Sequence, residues 1–313
     1  MKIGIDASCI LPRQTGIGVF TRNLLREMLS LETPHDFSIF LNSLRHQTEG
    51  NPFPDARRTR LRKFRLPGPL LVKSWRRLHL PPIEVFTGFV NLFHSMTGYI
   101  PPQLSGKRVA TVYDLYFMRH PENCDPMGGR FFAETFPRVL PKCDHIICPS
   151  NSTRRDLIQT FGIAEDKITV VYGGVDHEVF RPIVDADLLE RIRQEYCLPS
   201  TYILSVCTLE PRKNIEGLLI AYRRLKEIIF NPPKLVLAGS EGWDSESIRM
   251  TVREHQLTSD VFFPGYISEN HLPMIYNSAL LFAFPSFFEG FGLPVLEAMA
   301  CGIPCLTSNA ECL

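Results

Sequence analysis

The sequence predicts an α/β protein built as two successive parallel-sheet units. Short β-rich apolar runs alternate with amphipathic stretches of helical spacing, the pattern of βαβ units that place helices over both faces of a sheet. The alternation fades near residue 175 and restarts cleanly at Tyr202. A chain of 313 residues corresponds to about two domains at roughly 150 residues each. With 44% hydrophobic and 21% charged residues, there is enough apolar surface to offset chain entropy by burial.

In the first unit, strands are expected at Lys2 to Ser8, Phe37 to Leu41, Asn91 to Ser95, Arg108 to Tyr113, His145 to Pro149 and Ile168 to Tyr172. A helix should follow Gly16-Ile-Gly18, because Phe20, Leu24, Leu25, Met28 and Leu31 recur at helical spacing and define one buried face. Ser150 to Thr153 has the form of a capped helix start. A turn-rich passage, Gly173 to Pro182, leads into a polar helix, Asp187 to Tyr196. The second unit should contain strands at Tyr202 to Cys207, Lys234 to Ala238, Val261 to Pro264, Leu280 to Phe284 and Ile303 to Thr307. These elements divide the chain into a Rossmann-like domain over 1–180, a linker over 181–200 and a second Rossmann-like domain over 201–313. The last strand is followed by Glu311-Cys-Leu313 without a closing helix, so the second domain is expected to be incomplete.

Charge and cysteine usage narrow the function classes. Lys and Arg number 34 against 33 Asp and Glu, which gives no global drive toward nucleic acid. Nine cysteines lack zinc or CxxC spacing and read as reduced thiols in a cytosol. Asp6 interrupts the amino terminus too soon for a secretory apolar core, and apolar runs such as Ala279 to Phe284 fall far short of the roughly 20 residues that span a bilayer. The expected location is cytoplasmic, with peripheral contact at the inner face of the membrane as an option. That option rests on residues 57–79, where Arg57 to Arg77 holds nine basic and no acidic residues interleaved with Leu70, Leu71, Trp75 and Leu78. Such a stretch suits an anionic leaflet or a solvated face, and both readings stay open.

The densest chemical signal is Phe284 to Pro304, a strand running into a glycine-rich loop and then a helix. Glu289 and Glu297 bracket the loop. Pro294 suits the first helical position and would set Glu297 in the first turn, with both carboxylates facing the cavity above the strand ends. Free amides around Gly292 to Val295 would form an anion site for a diphosphate. A second signal, Ser205 to Asn214, sets Arg212 and Lys213 at the carboxyl end of a strand, where ligands of doubly wound sheets bind. Two further strand-to-loop junctions with glycine, at Gly239 and at Tyr266, each suit a nucleotide base. In the first half, the loop Gln14 to Phe20 carries Gly16 and Gly18 but lacks the third glycine of a dinucleotide fingerprint. It suits phosphate or acceptor contact, or a plain turn. His94 and Asp114 end two other strands, and a buried, satisfied His94 is as compatible with the pattern as a working one. Asp185-Ala-Asp187 opens a helix, so it does not read as a metal site, and no metal is expected. Asn151-Ser-Thr153 has sequon form without an export signal.

Taken together, these segments resemble the retaining, GT-B-fold glycosyltransferases of family 4, especially the bacterial branch that includes polysaccharide mannosyltransferases. The likeness rests on the E-x7-E bracket Glu289 to Glu297 within Phe288-Glu-Gly-Phe-Gly-Leu-Pro294, and on Thr208-Leu-Glu-Pro-Arg-Lys-Asn214. Tyr113-Asp-Leu115, Pro149-Ser-Asn151 and Gly173-Gly-Val-Asp176 match further landmarks. The resemblance implies two domains facing across a cleft, a nucleotide sugar (GDP-mannose or a UDP-sugar) held mainly by the second, and a saccharide or lipid-linked acceptor held by the first. Arg212, Lys213 and Glu289 would carry the catalysis. Glu297 would hold the ribose, with Phe291, Gly292 and Leu293 completing the donor site, and no cofactor is implied. The sequence departs from the family pattern in three places. Tyr113 stands where many relatives have histidine, and Cys207 where glycine is usual. Many relatives also carry their arginine earlier than Arg212. The family's helices beyond the last strand do not follow here, so an inactive fragment is one alternative and a GT-B-type nucleotide-sugar epimerase another.

Overall fold

A computed structural model describes residues 1–10, 15–44, 51–54, 56–310 and 312–313. Among them the chain forms two compact units, Met1–Leu115 with Phe131–Tyr172, and Tyr116–Arg130 with Gly173–Leu313.

The first unit contains β1 (Lys2–Asp6), β2 (Asp36–Asn42), β3 (Thr59–Phe64), β4 (Leu92–Ser95), β5 (Lys107–Thr111), β6 (His145–Cys148) and β7 (Ile168–Val170). They lie in the order β3-β2-β1-β4-β5-β6-β7, and every pairing is parallel. Ile5, Ile39 and Phe93 are fully buried, as expected of strands covered on both faces. The helix Gly16–Ser30 starts at Thr15, whose side chain accepts from the Gly18 amide. Its inward face is Thr21, Leu25 and Leu29, with Leu24 and Met28 alongside. Leu31, expected on that face, lies past the helix end and is exposed. Ser150 caps the helix Asn151–Phe161 by accepting from the Thr153 amide, as its sequence suggests.

The second unit holds β8 (Tyr202–Val206), β9 (Lys234–Ala238), β10 (Val261–Gly265), β11 (Leu281–Phe284) and β12 (Cys305–Thr307). Their order is β10-β9-β8-β11-β12, again all parallel. Alternation along β8 splits the core. Tyr202 and Leu204 pack with Phe282, Phe284 and Tyr276 on one face, whereas Ile203 packs toward Leu219 and Leu235 on the other. In both sheets the strand order reverses beside the first strand, between β1 and β4 and between β8 and β11. Such reversals are the points where doubly wound sheets leave a crevice for ligands.

Two expectations are corrected. The basic stretch from Arg57 is not one helix-capable segment. Its first part is the edge strand β3 and only Gly68–Arg77 is helical, with Leu71 and Trp75 buried but Leu70 and Leu78 exposed. An edge strand tolerates charge on both faces, which is why no apolar alternation marked it. Residues 181–200, expected as a linker, pack into the second unit, where Ile192 and Leu198 join the core of Tyr202 and Tyr276. Asp185 caps the helix there, its carboxylate accepting from the Leu188 amide.

Candidate active site

The second unit gathers a cluster of charge in which Lys213 and Glu289 are buried. β8 and β11 are neighbours, so the segments leaving their carboxyl ends meet although they are far apart in sequence. After β8 a single turn, Pro211–Lys213, points both cations back toward the β11 loop. Lys213 Nζ donates to Glu289 Oε1 at 2.6 Å, and Arg212 Nη1 lies 3.4 Å from Glu289 Oε2. Backbone bonds fix the two loops together: the Phe287 amide donates to the Arg212 carbonyl at 3.0 Å, and Asn214 Nδ2 to the Pro285 carbonyl at 3.1 Å. Lys213 and Glu289 are buried. Burial alone would raise the Glu289 pKa, but the facing Lys213, and then Arg212, outweigh it and hold the carboxyl below its usual range.

Arg212 is held on several sides. Its Nε and Nη2 both donate to Glu210 Oε1, at 3.0 and 2.9 Å, and Nη1 also donates to the Phe288 carbonyl at 3.2 Å. The guanidinium stands 5.7 Å from the centre of the Tyr116 ring, which packs on Phe288. Glu210 and Tyr116 carried no signal of this role. Glu210 sits inside the motif without a stated partner, and Tyr116 follows a strand of the other sheet.

The second carboxylate behaves differently. Its helix is Leu293–Ala300, with Gly292 at the cap in the left-handed region at φ 99°. Glu297 therefore falls in the second turn, not the first. Its Oε2 accepts from the Tyr276 hydroxyl at 2.9 Å. Burial pushes its pKa up to about 7, partly opposed by that hydrogen bond and aided by Glu269. Tyr276, fully buried in the core, is a site residue that composition could not single out. The expected row of free amides is also thinner than supposed. Pro294 has no N–H, and the Val295 amide donates to the Gly292 carbonyl at 3.0 Å. Phe291 and Leu293 lie over Gly173, where an added Cβ would come within 2.8 Å of Phe291 Cε1 and 3.0 Å of Leu293 Cδ2.

Gly239 and Tyr266 follow β9 and β10, on the side of β8 away from β11. They stand one and two strand spacings from β8, each about 4.8 Å, so they flank the ion cluster and do not join it. Gly239 has φ 139°, and a Cβ there would sit 1.9 Å from the Cys207 carbonyl oxygen. Only glycine lets the two strand ends close. The Cys207 thiol itself is pushed up to about 12 by burial. Tyr266 is 51% exposed.

In the first unit, Gly16 has open space around its Cα, whereas a Cβ on Gly18 would meet the Cys9 carbonyl oxygen at 2.6 Å. Gln14 of the same loop lies outside the described residues. His94 Nε2 pairs with Thr111 Oγ1 at 2.8 Å, and burial lowers its pKa to about 4, so it is neutral at pH 7. Asp114 is half-buried after β5. Tyr113 hydrogen-bonds Thr21 at 3.2 Å and meets Phe20 edge-on, so it braces the helix Gly16–Ser30.

A model of the family described as Glycosyltransferase Family 4 matches residues 14–179, and one described as glycosyl transferases group 1 matches residues 190–313. O-antigen chain mannosyltransferase B of Escherichia coli is 28% identical across 100% of this chain and 84% of its own length. Serotype-specific mannosyltransferase WbdA of Escherichia coli is 33% identical over 74% of this chain, a span that covers 29% of that larger relative. Among solved structures, sucrose-phosphate synthase from Thermosynechococcus elongatus aligns with a TM-score of 0.72 at 19% identity, covering 99% of this chain and 82% of that one. Anabaena HepE in complex with UDP-glucose aligns with a TM-score of 0.67 at 17% identity, over 99% and 81%. These likenesses establish the GT-B fold.

Proposed function

The chain belongs to glycosyltransferase family 4, and from that premise we propose that it transfers a hexose, with mannose favoured, from a nucleotide sugar to a saccharide or lipid-linked acceptor in cell-surface polysaccharide synthesis. The observation that carries the proposal is the cluster of buried Lys213 and Glu289 with half-buried Arg212 at the reversal point between β8 and β11. As the sugar–phosphate bond breaks, negative charge grows on the departing diphosphate. Cations already fixed in place stabilise that charge more than they stabilise the ground state, and they need little reorganisation to do so. Two cations so placed supply the charge neutralisation without a metal. Glu289 accepts hydroxyl hydrogens of the hexose while keeping Lys213 oriented, and Glu297 accepts from the ribose.

Mannose is favoured because the O-antigen chain and serotype-specific relatives are mannosyltransferases. Retention is inferred from the family, and in that reading the leaving phosphate takes the acceptor proton on the same face. The protein acts in the cytoplasm, where residues 57–79 offer contact with the inner face of the membrane. Thermal-shift titration with GDP-mannose, UDP-glucose and other activated sugars tests the donor, because a ligand of the native state raises its stability by mass action. Stabilisation by one donor, followed by acceptor-dependent release of its nucleoside diphosphate, supports the proposal. Epimerised sugar formed from donor alone, or no stabilisation by any donor, overturns it.

A further inference from the structure

The charged cluster after β8 contains a carboxylate that the transfer step itself leaves unused. Glu210 precedes the turn Pro211–Lys213 in extended backbone, and its carbonyl accepts from the Lys213 amide at 3.0 Å. Its neighbour Leu209 is buried and tied to the segment that follows β9. There the Leu209 amide donates to the Ser240 carbonyl at 3.0 Å, and the Gly242 amide donates to the Leu209 carbonyl at 3.1 Å. A Cβ on Gly242 would lie 2.7 Å from that carbonyl oxygen, so glycine permits the close approach. The backbone under Glu210 is thus joined to the ends of both β8 and β9, and the carboxylate projects from a fixed base.

From that base Glu210 Oε1 accepts from Arg212 Nε at 3.0 Å and Nη2 at 2.9 Å, both shorter than the 3.4 Å between Arg212 Nη1 and Glu289 Oε2. Glu210 and Glu289 therefore meet different edges of the guanidinium, while the Tyr116 ring covers a face. An acceptor on the edge and an aromatic on the face together set the orientation of a planar cation. The side chains of Arg212 and Glu210 are each 20% exposed, so their charges are screened less than those of a surface pair. The ion pairs oppose two cations, Arg212 and Lys213, with two carboxylates, Glu210 and Glu289.

We propose that Glu210 is the positioning residue of Arg212 and, through its own charge, the group that speeds departure of the nucleoside diphosphate. The inference rests on the transferase reading and extends it to the step after transfer. Its physical basis is a difference in charge. A nucleoside diphosphate that has lost its sugar exposes a terminal phosphate, which gains negative charge near neutral pH. Cations that stabilise the leaving group consequently hold the product more strongly than the donor, and product release limits turnover in many enzymes. Glu210 fixes the guanidinium plane, so that Arg212 meets the developing charge without reorganising. Its own negative charge, directly behind Arg212, repels the fully charged product more than the donor.

The test is calorimetric titration with GDP, UDP, ADP and dTDP, joined to single- and multiple-turnover kinetics with the donor that the wild type uses. Glu210→Gln keeps an oxygen acceptor for Arg212 and removes the charge. It should bind the nucleoside diphosphate about tenfold or more tightly, with the product-inhibition constant lowered in proportion, kcat lowered and a burst of product in the first turnover. The gain should shrink as salt rises. Glu210→Ala should also bind the diphosphate more tightly than the wild type, so the comparison stands where either variant misfolds in circular dichroism. Having lost the acceptor as well, its single-turnover rate should fall further than that of Glu210→Gln. Glu210→Asp retains the charge and should return the diphosphate affinity to within about threefold of the wild type. Affinity unchanged or weakened in both charge-free variants, or Glu210→Asp binding as tightly as Glu210→Gln, overturns the inference and leaves the transferase reading in place. A wild type that binds none of these nucleotides overturns both.

Discussion

Lys213 Nζ lies 2.6 Å from Glu289 Oε1, and both side chains are withdrawn from solvent. A buried ion pair is weak evidence for stability, because desolvation takes back much of the attraction, but removing one partner leaves a stranded charge. Lys213→Ala or Glu289→Ala should each cost about 3 kcal/mol or more of stability and lower turnover by roughly 100-fold or more. The double variant Lys213→Met/Glu289→Met separates the two effects. It should recover most of the stability in urea unfolding and none of the turnover. Wild-type turnover in any of the three would remove these residues from the mechanism.

Glu297 should make donor binding and stability depend on pH in opposite senses. Its pKa is raised from 4.5 to about 7, so the folded state favours the protonated form. That contribution is complete below pH 4.5 and is lost as pH rises to about 7, by up to about 3 kcal/mol. Ribose binding through the carboxylate should strengthen over the same rise. Calorimetric donor titrations at several pH values should show tighter binding toward pH 8, and Glu297→Gln should flatten both profiles.

Tyr276 is fully buried and holds Glu297 through its hydroxyl. Removing its hydroxyl in Tyr276→Phe takes away the hydrogen bond that favours the carboxylate. The midpoint of the donor-binding pH profile should move upward, and KM for the donor at neutral pH should rise several-fold with kcat little changed. A purely structural role would lower stability and leave that midpoint in place.

His94 should confer acid sensitivity. Burial lowers its pKa from 6.5 to about 4, so its neutral form supports the folded state fully above pH 6.5. The support is lost as pH falls toward 4, by up to about 3 kcal/mol. His94→Gln keeps a partner for Thr111 and should lose less stability than the wild type over that interval in denaturant melts.

Glycines at the sheet ends should divide sharply. Gly239→Ala forces a Cβ toward the Cys207 carbonyl at φ 139° and should cost at least about 2 kcal/mol. Gly16→Ala meets nothing within 4 Å and should change stability by less than about 0.5 kcal/mol. Lost turnover in Gly16→Ala at unchanged stability would identify a ligand contact at that loop.

Local signals made much of this protein legible. Most strands followed apolar periodicity, and Ser150 acted as a cap where its sequence placed it. The glycine loop bracketed by Glu289 and Glu297 and the Thr208 to Asn214 segment marked the charged cluster, because each is continuous in the chain and chemically unusual. β3 was missed because an edge strand rich in arginine carries no inward alternation. Tyr276 was missed because one aromatic in a short helix looks like any other core residue.

What the sequence alone determined is the kind of groups available and the two-unit α/β plan, since burial patterns and loop chemistry act over a few residues. Only the tertiary structure decided which groups meet. Lys213 and Glu289 are 76 residues apart and pair because β11 lies beside β8, and the same packing gives Glu297 to Tyr276. It also fixed their charge states: Glu289 is ionised by facing cations, whereas Glu297 is pushed toward neutrality by burial. Proximity and desolvation are properties of the folded chain, which is why two acids eight positions apart acquire different chemistry.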